Sequence, residues 1–558
     1  LSEEVLVKDF SLSIAALLAL VGDDHTRHRD FSAFHEHVRR GGLVFPVKFR
    51  YKDDYMTVEA GSPDVSPARM KVGDPVVGVN GKTMESLLQR YGRCISLETD
   101  LQRCWALEWW FDRYQVMLGD ISSEYTLQLR DSAGKTYCET LSAVKPWREE
   151  YEKSRPKAPR FHYRFYEEGK VCLFKLQTFN SDLRVEFESK LTALVDEMRE
   201  NKTEIAVLDL RGNGGGNSSM GYMALSRMID GPYGELRPYR DHGWPVRVAL
   251  LCDRATYSAA SFVAMLVKDF GAGIIVGEET GGRASGHGNI EHVTLPNSLL
   301  SCGIATGYFP RRAGYDDGRG VLPDLPLNVT LEDSILVERI CSHVRNVERQ
   351  AMQSGANAFR MHLRLAIIHK RQGNQEEALK HYNATGFIHN RAWSVIGPFD
   401  NTNGLGFEMQ YPPESKLDFA TEYTGKNGKV KWFRSENEPM DGFVDLVSLV
   451  GPADWAVAYA AANAQSPDTR EVQLRIGSDD GVRVWLNGEL VLSRNVDRAA
   501  VIDQDIVPVT LRKGPNQLVL KICNRTGGWG FYTRITDPTG QPYNDLRFLP
   551  RNSEVRSD

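Results

Sequence analysis

The sequence has no CxxC pair, and its eight cysteines lie far apart. Neither a zinc ribbon nor a dense disulfide framework can be built from such spacing. Cys172, Cys252 and Cys302 sit in apolar, strand-like runs and read as buried free thiols, which leaves the compartment open. No apolar run approaches the ~18–20 residues of a membrane span. The longest candidate, Ile14 to Val21, reads as one face of a helix. There is no excess of basic residues, since the net charge is -5, and so no electrostatic footprint for nucleic acid. No HExxH motif accompanies the early histidines His25, His28, His35 and His37, which read as a polar loop rather than a zinc site. The glycines at 212–216 are not followed by Lys-Ser/Thr, which argues against a nucleotide-binding P-loop. Neither a metal nor an organic cofactor is expected.

What is present is an ordinary globular composition, 41% hydrophobic and 25% charged, over 558 residues. That length exceeds a single core and implies several domains. Because the chain starts at Leu1, an upstream segment such as a signal peptide is expected to have been removed. The chain is organised around Ile205 to Gly282, in three parts. IAVLDLRGNGGGNSS is an apolar run ending in glycines. RATYSAASFVAMLV puts serines at the head of an amphipathic helix. GIIVGEETGG is a second buried-strand pattern. β-Branched runs alternating with helical patterns predict parallel strands covered by helices. Glycines at a strand end let backbone N–H groups converge. A serine at a helix N-terminus beside such amides suits acyl transfer.

DLRGNGGG, TYSAAS and VGEETGG, in this order, resemble the serine peptidases of the C-terminal-processing (tail-specific) protease and tricorn core protease family. The similarity runs from about Val5 to Leu327. It implies a crotonase-like α/β catalytic core, a PDZ-like domain and serine endopeptidase activity on unfolded or tail-exposed proteins. The family's S-A-x-[ES] pattern assigns the nucleophile to Ser258, with Ser261 as a packing residue. Bacterial tail-specific members carry a lysine base after the third motif, where this chain has Arg283. Arginine stays protonated and cannot act as a base. The tricorn-like branch instead draws its base from a histidine in an early loop; GDDHT matches that context, so the role passes to His25. His287, in RASGHGN, is the alternative. By the same resemblance the orienting acid falls on Asp317, with Asp316 as fallback, and Asp24 occupies a bridging position. The oxyanion donors are expected to be the N–H groups of Gly212 and Ala259.

The expected organisation is multidomain α/β and β. Residues 1–44 form a helical segment carrying His25, with a helix over Glu3 to Leu20. Residues 45–145 form a PDZ-like domain with an Asn80-Gly81 turn and a Trp- and Leu-rich helical insertion, Leu97 to Leu118. Lys145 to His162 reads as a linker. Residues 160–330 form the peptidase core and 331–386 a helical spacer resembling one tetratricopeptide unit. Residues 387–558 carry regular strands divided by Gly, Asn and Pro turns, a β-sandwich resembling galactose-binding and PA14-type jelly rolls. Asp479 and Asp480 there are candidate calcium or glycan ligands, or simply turn caps. Polypeptides are the expected substrates; a glycan on the sandwich and a homo-oligomer are secondary expectations. Family habit implies a periplasmic or secreted protein. The rival reading is a catalytically degenerate ligand- or glycan-binding protein, for which Arg283 is the best support.

Overall fold

The computed structural model describes residues 7–52, 55–154, 159–231, 236–238, 243–311, 318–353, 355–436, 440–543 and 545–549. The chain divides into two compact units, Leu1–Ser342 and His343–Asp558.

The first unit opens with α1 (Val7–Ala19) and α2 (Ser32–Arg39). Strands β1 (Val47–Lys52) and β2 (Tyr55–Gly61) pair antiparallel. A second small sheet holds β3 (Val76–Val79), β4 (Lys82–Thr83), β5 (Glu124–Arg130) and β6 (Thr136–Ser142) in the order β4-β3-β5-β6. Asn80 and Gly81 both take positive φ between β3 and β4, as an Asn-Gly turn requires. Inserted before β5 are α3 (Met84–Gly92) and α4 (Asp100–Leu118). Helix α4 starts with a reciprocal capping box, Thr99 with Gln102, and ends at Gly119 in the left-handed conformation. Its Phe111 packs at 4.9 Å, centroid to centroid, from both Phe45 and Phe49. The insertion is therefore part of this core rather than an appendage.

The expected linker is partly regular. It contains α5 (Arg148–Ser154), and its last residues begin β7 (Phe161–Tyr166), which pairs antiparallel with β8 (Val171–Leu176). Its charge and prolines hid this short helix and an edge strand. Next come α6 (Arg184–Asn201), β9 (Ile205–Asp209), α7 (Ser218–Ser226), β10 (Arg247–Cys252), α8 (Ala259–Phe270) and β11 (Ile274–Gly277). With β14 (Leu325–Pro326) they give one six-stranded sheet, β14-β11-β10-β9-β8-β7, parallel except for β7. Every residue of β9 is buried, because helices cover both faces of a parallel sheet. Helix α6 turns Phe187, Leu191, Leu194, Val195 and Met198 inward, and α8 turns Val263 and Leu266. Strands β12 (Gly286–Thr294) and β13 (Ser301–Phe309) form a separate antiparallel pair across a turn that contains Pro296-Asn297.

Helix α9 (Asp333–Gln353) crosses the division between the units. In the second unit α10 (Gly355–Arg371) and α11 (Gln375–Asn383) form a helical pair. Two antiparallel sheets follow. One runs Phe433–Arg434, Ser394–Asp400, Ala456–Ser466, Gly514–Asn524, Gly481–Leu486, Glu489–Arg494, with Arg547–Leu549 added beside Ala456–Ser466. The other runs Phe443–Asp445, Gly530–Thr536, Arg470–Asp479, Asp505–Leu511. Trp393, Trp529, Phe531 and Ile522 belong to the core of this sandwich. The Asp480 carboxylate accepts the N–H groups of Arg498 (2.9 Å) and Arg525 (2.8 Å), so it caps the surrounding loops.

Candidate active site

Ser258 sits between the end of β10 and α8, at the N-cap, with φ 53° and ψ -126°. A non-glycine residue in that region is strained, and such strain persists where surrounding contacts over-determine it. Those contacts are present. Asp253 accepts the N–H of Ala255 (3.0 Å) and the hydroxyl of Thr256 (3.2 Å), and Thr256 Oγ1 donates to Leu210 O at 2.9 Å. Tyr257 N–H donates to Asn213 O at 2.9 Å. The glycine cluster then passes directly beneath the serine: a Cβ on Gly215 would lie 2.7 Å from Ser258 Cβ and 2.9 Å from Ala259 N. Only glycine permits that approach.

His25 arrives from the loop after α1. Arg27 and Gly303 exchange backbone hydrogen bonds (2.9 and 2.8 Å), Ala305 N–H donates to Thr26 Oγ1, and Ser96 Oγ donates to Asp23 O at 2.6 Å. Pinned in this way, the imidazole Nε2 lies 3.1 Å from Ser258 Oγ. Its Nδ1 faces Tyr257 Oη at 3.3 Å, Asp23 Oδ1 at 3.4 Å and Glu98 Oε1 at 3.6 Å. The Tyr257 ring stacks on the imidazole at 5.4 Å. Burial works against a charge on His25, but the Asp23 and Glu98 carboxylates outweigh it and push its pKa up to about 9. Burial alone would raise Asp23, yet its bonds to His25 bring it down to about 2.

The structure thus brings Ser258 and His25 together, and the other expected residues divide. Ala259 N–H follows the serine and has no hydrogen-bond partner among the described residues. Gly212 N–H, by contrast, donates to Asp253 Oδ1 at 3.0 Å and is not available to an oxyanion. In its cluster the Gly214 N–H has no partner among the described residues, and Gly214 lines the cleft. Asp24 does not bridge to His25; it is buried and pairs with Arg27 (2.8 Å) and Arg29. Its charge answers those two guanidinium groups, while the preceding residue, Asp23, turns to the imidazole. His287 is exposed on β12 against the Tyr308 ring, at the same cleft but without a bond to Ser258. Ser261 is buried and donates to Thr256 O, a packing role. Asp316 and Asp317 lie outside the described residues.

Glu98 is the residue that sequence reading missed. It stands just before α4, with its N–H on Gln102 Oε1 at 2.7 Å and its Oε2 accepting from Arg283 N–H at 3.2 Å. The available signal was the Thr99–Gln102 capping box, which fixes where the chain turns into the helix. Asp23, His25 and Glu98 are also the one group of three metal-type donors among the described residues, with ligand atoms within 4.8 Å of one another. Around this centre opens a cleft of about 900 Å³ bordered by Trp105, Trp110, Phe262 and Phe309.

Residues 170–327, which hold the serine loop, the glycine cluster and five of the six strands of the sheet that carries them, match the model of peptidase family S41. Over that segment, a little more than a quarter of its length, the chain is similar to this family. Its core is that of a serine peptidase, a hydrolase. Among solved structures, mature CPAF is 14% identical over 57% of this chain and 83% of its own, with a TM-score of 0.43. The photosystem II D1 C-terminal processing protease is 20% identical over 56% and 80%, with a TM-score of 0.31. A putative S41 protease from Bacteroides fragilis is 14% identical over 55% and 83%, with a TM-score of 0.28. No helix among the described residues is long and apolar enough to cross a membrane.

Proposed function

We propose that the chain is a serine endopeptidase acting on unfolded or tail-exposed polypeptides through an acyl-enzyme. The observation that carries this is the 3.1 Å approach of His25 Nε2 to Ser258 Oγ, with carboxylates behind Nδ1. Neutral His25 takes the Ser258 proton as Oγ bonds to the scissile carbonyl carbon. The carbonyl electron pair moves onto oxygen, where the N–H groups of Ala259 and Gly214 are the donors we assign. As the C–N bond breaks, His25 passes its proton to the leaving amine. Water, deprotonated by the same imidazole, then cleaves the ester and regenerates Ser258. Glu98 and Asp23 hold the Nδ1–H tautomer and stabilise the imidazolium. The strained Ser258 backbone supports this reading, since strain of that kind clusters at active sites.

Within the same proposal the six-stranded unit is a crotonase-like core, residues 45–145 a PDZ-like module with an inserted helix, and residues 387–558 a jelly-roll sandwich. The test is labelling by a fluorophosphonate, comparing wild type with Ser258→Ala and His25→Ala. Labelling lost in both variants is the expected result. Wild type that neither labels nor cleaves reduced casein would refute the enzyme reading, and labelling retained in His25→Ala would move the base to His287.

A further inference from the structure

The candidate cleft is bordered by four arginines, Arg27, Arg29, Arg254 and Arg283. Three of them have ionic partners. Arg27 and Arg29 pair with Asp24, and Arg254 Nη2 meets Glu108 Oε1 at 2.9 Å. Arg283 differs. Its backbone is clamped on two sides: its N–H donates to Glu98 Oε2 at 3.2 Å, it forms an isolated antiparallel bridge with Gly320, and Ala284 N–H donates to Arg319 O at 3.2 Å. Its side chain has neither an ion pair nor a hydrogen bond among the described residues, and its Nε is enclosed without an acceptor.

A guanidinium presents five N–H donors in a rigid plane, and a partly buried one left unanswered is costly. In a native protein such a group calls for an explanation, and at a catalytic cleft the natural acceptor is a ligand. The fixed fork matches a carboxylate, which it binds through two parallel hydrogen bonds. The aromatic border, with Phe262 and Phe309 edge to face at 6.0 Å, lowers the local dielectric and strengthens such a pair. The position is also close to the chemistry, because the carboxylate that holds Arg283 N–H is the one facing His25.

We propose that Arg283 receives a carboxylate of the substrate peptide, either an acidic side chain or the free C-terminus, and so selects substrates carrying one near the scissile bond. This rests on the cleft being the peptidase site proposed above.

The experiment measures fluorescence anisotropy of labelled peptides on the full chain carrying Ser258→Ala, which needs no turnover. The probes are a scanned peptide library in two matched sets: one with internal Glu against Gln under a blocked C-terminus, the other with a free against an amidated C-terminus. In one set the acid member should bind about 10- to 100-fold more tightly. Adding Arg283→Gln should bring that ratio to within about twofold, and Arg283→Lys should keep part of it. The set that shows the preference identifies the source of the carboxylate. No acid preference in either set, or a preference that survives Arg283→Gln, overturns the proposal. Fluorophosphonate labelling of the wild type separates this failure from failure of the peptidase reading, since labelling without acid preference removes only the role of Arg283.

Discussion

Glu98 Oε1 lies 3.6 Å from His25 Nδ1, while the other carboxylate oxygen holds the N–H of Arg283. One side chain, just ahead of the Thr99 cap of α4, therefore ties the histidine loop to the loop after β11. Glu98→Gln keeps the shape and removes the charge. It should lower the proposed turnover by between about 10² and 10⁴, the range for losing the group behind a catalytic histidine. Steady-state hydrolysis of reduced casein checks this; a loss of less than about threefold would assign the orienting role to Asp23 alone.

The pH profile should be displaced to the alkaline side. With His25 raised to about 9, the imidazole is protonated at neutral pH and cannot accept the Ser258 proton. Activity should therefore climb with pH and level off above about 9. Stability should move the opposite way. Because the folded pKa lies above the ordinary histidine value of 6.5, the ion-pair contribution is complete below about 6.5 and is lost as pH rises toward 9. For Asp23 the folded value lies below the ordinary aspartate value, so its contribution is present above about 3.8 and is lost as pH falls toward 2. Thermal melts and pH–rate curves on one preparation test both limbs. An activity plateau already reached at pH 7 would contradict the shift.

Gly215 should be intolerant of any side chain. An added Cβ meets Ser258 Cβ at 2.7 Å and Tyr257 O at 2.8 Å, and φ is +94°. Gly215→Ala should cost about 1–3 kcal/mol of stability through overpacking and slow fluorophosphonate labelling by about tenfold or more by displacing the nucleophile. Gly214→Ala meets nothing within 4 Å and should fold normally. A Gly215→Ala protein that labels at the wild-type rate would show that the cluster does not position the serine.

Parts of this site were legible in the residues and parts were not. Ser258 and His25 stand in motifs whose order carries information, and strands such as β9 declare themselves through unbroken apolar runs. The Gly212 amide, expected to face an oxyanion, is instead taken by Asp253 at the end of β10, a contact the sequence does not show. Asp23 and Asp24 are indistinguishable by pattern; two arginines downstream claim one, leaving the other for the imidazole. Glu98 acts through tertiary contact alone, and no local periodicity can announce that.

The sandwich offers a test independent of catalysis. Lys521 is fully buried, and its ammonium donates to Phe407 O (3.0 Å), Met409 O (2.7 Å) and Glu414 Oε1 (2.7 Å). Tyr459 Oη donates to the same carboxylate oxygen. Removing one member of a buried pair strands the other, so Lys521→Met should destabilise the second unit by about 3–5 kcal/mol. Replacing both members should recover much of that, because Lys521→Met/Glu414→Gln leaves no buried charge. Urea titration of the full chain, followed through the buried Trp393 and Trp529, would measure the coupling as a double-mutant cycle. If the two losses simply add, Lys521 is held by the two carbonyls alone and the carboxylate is incidental.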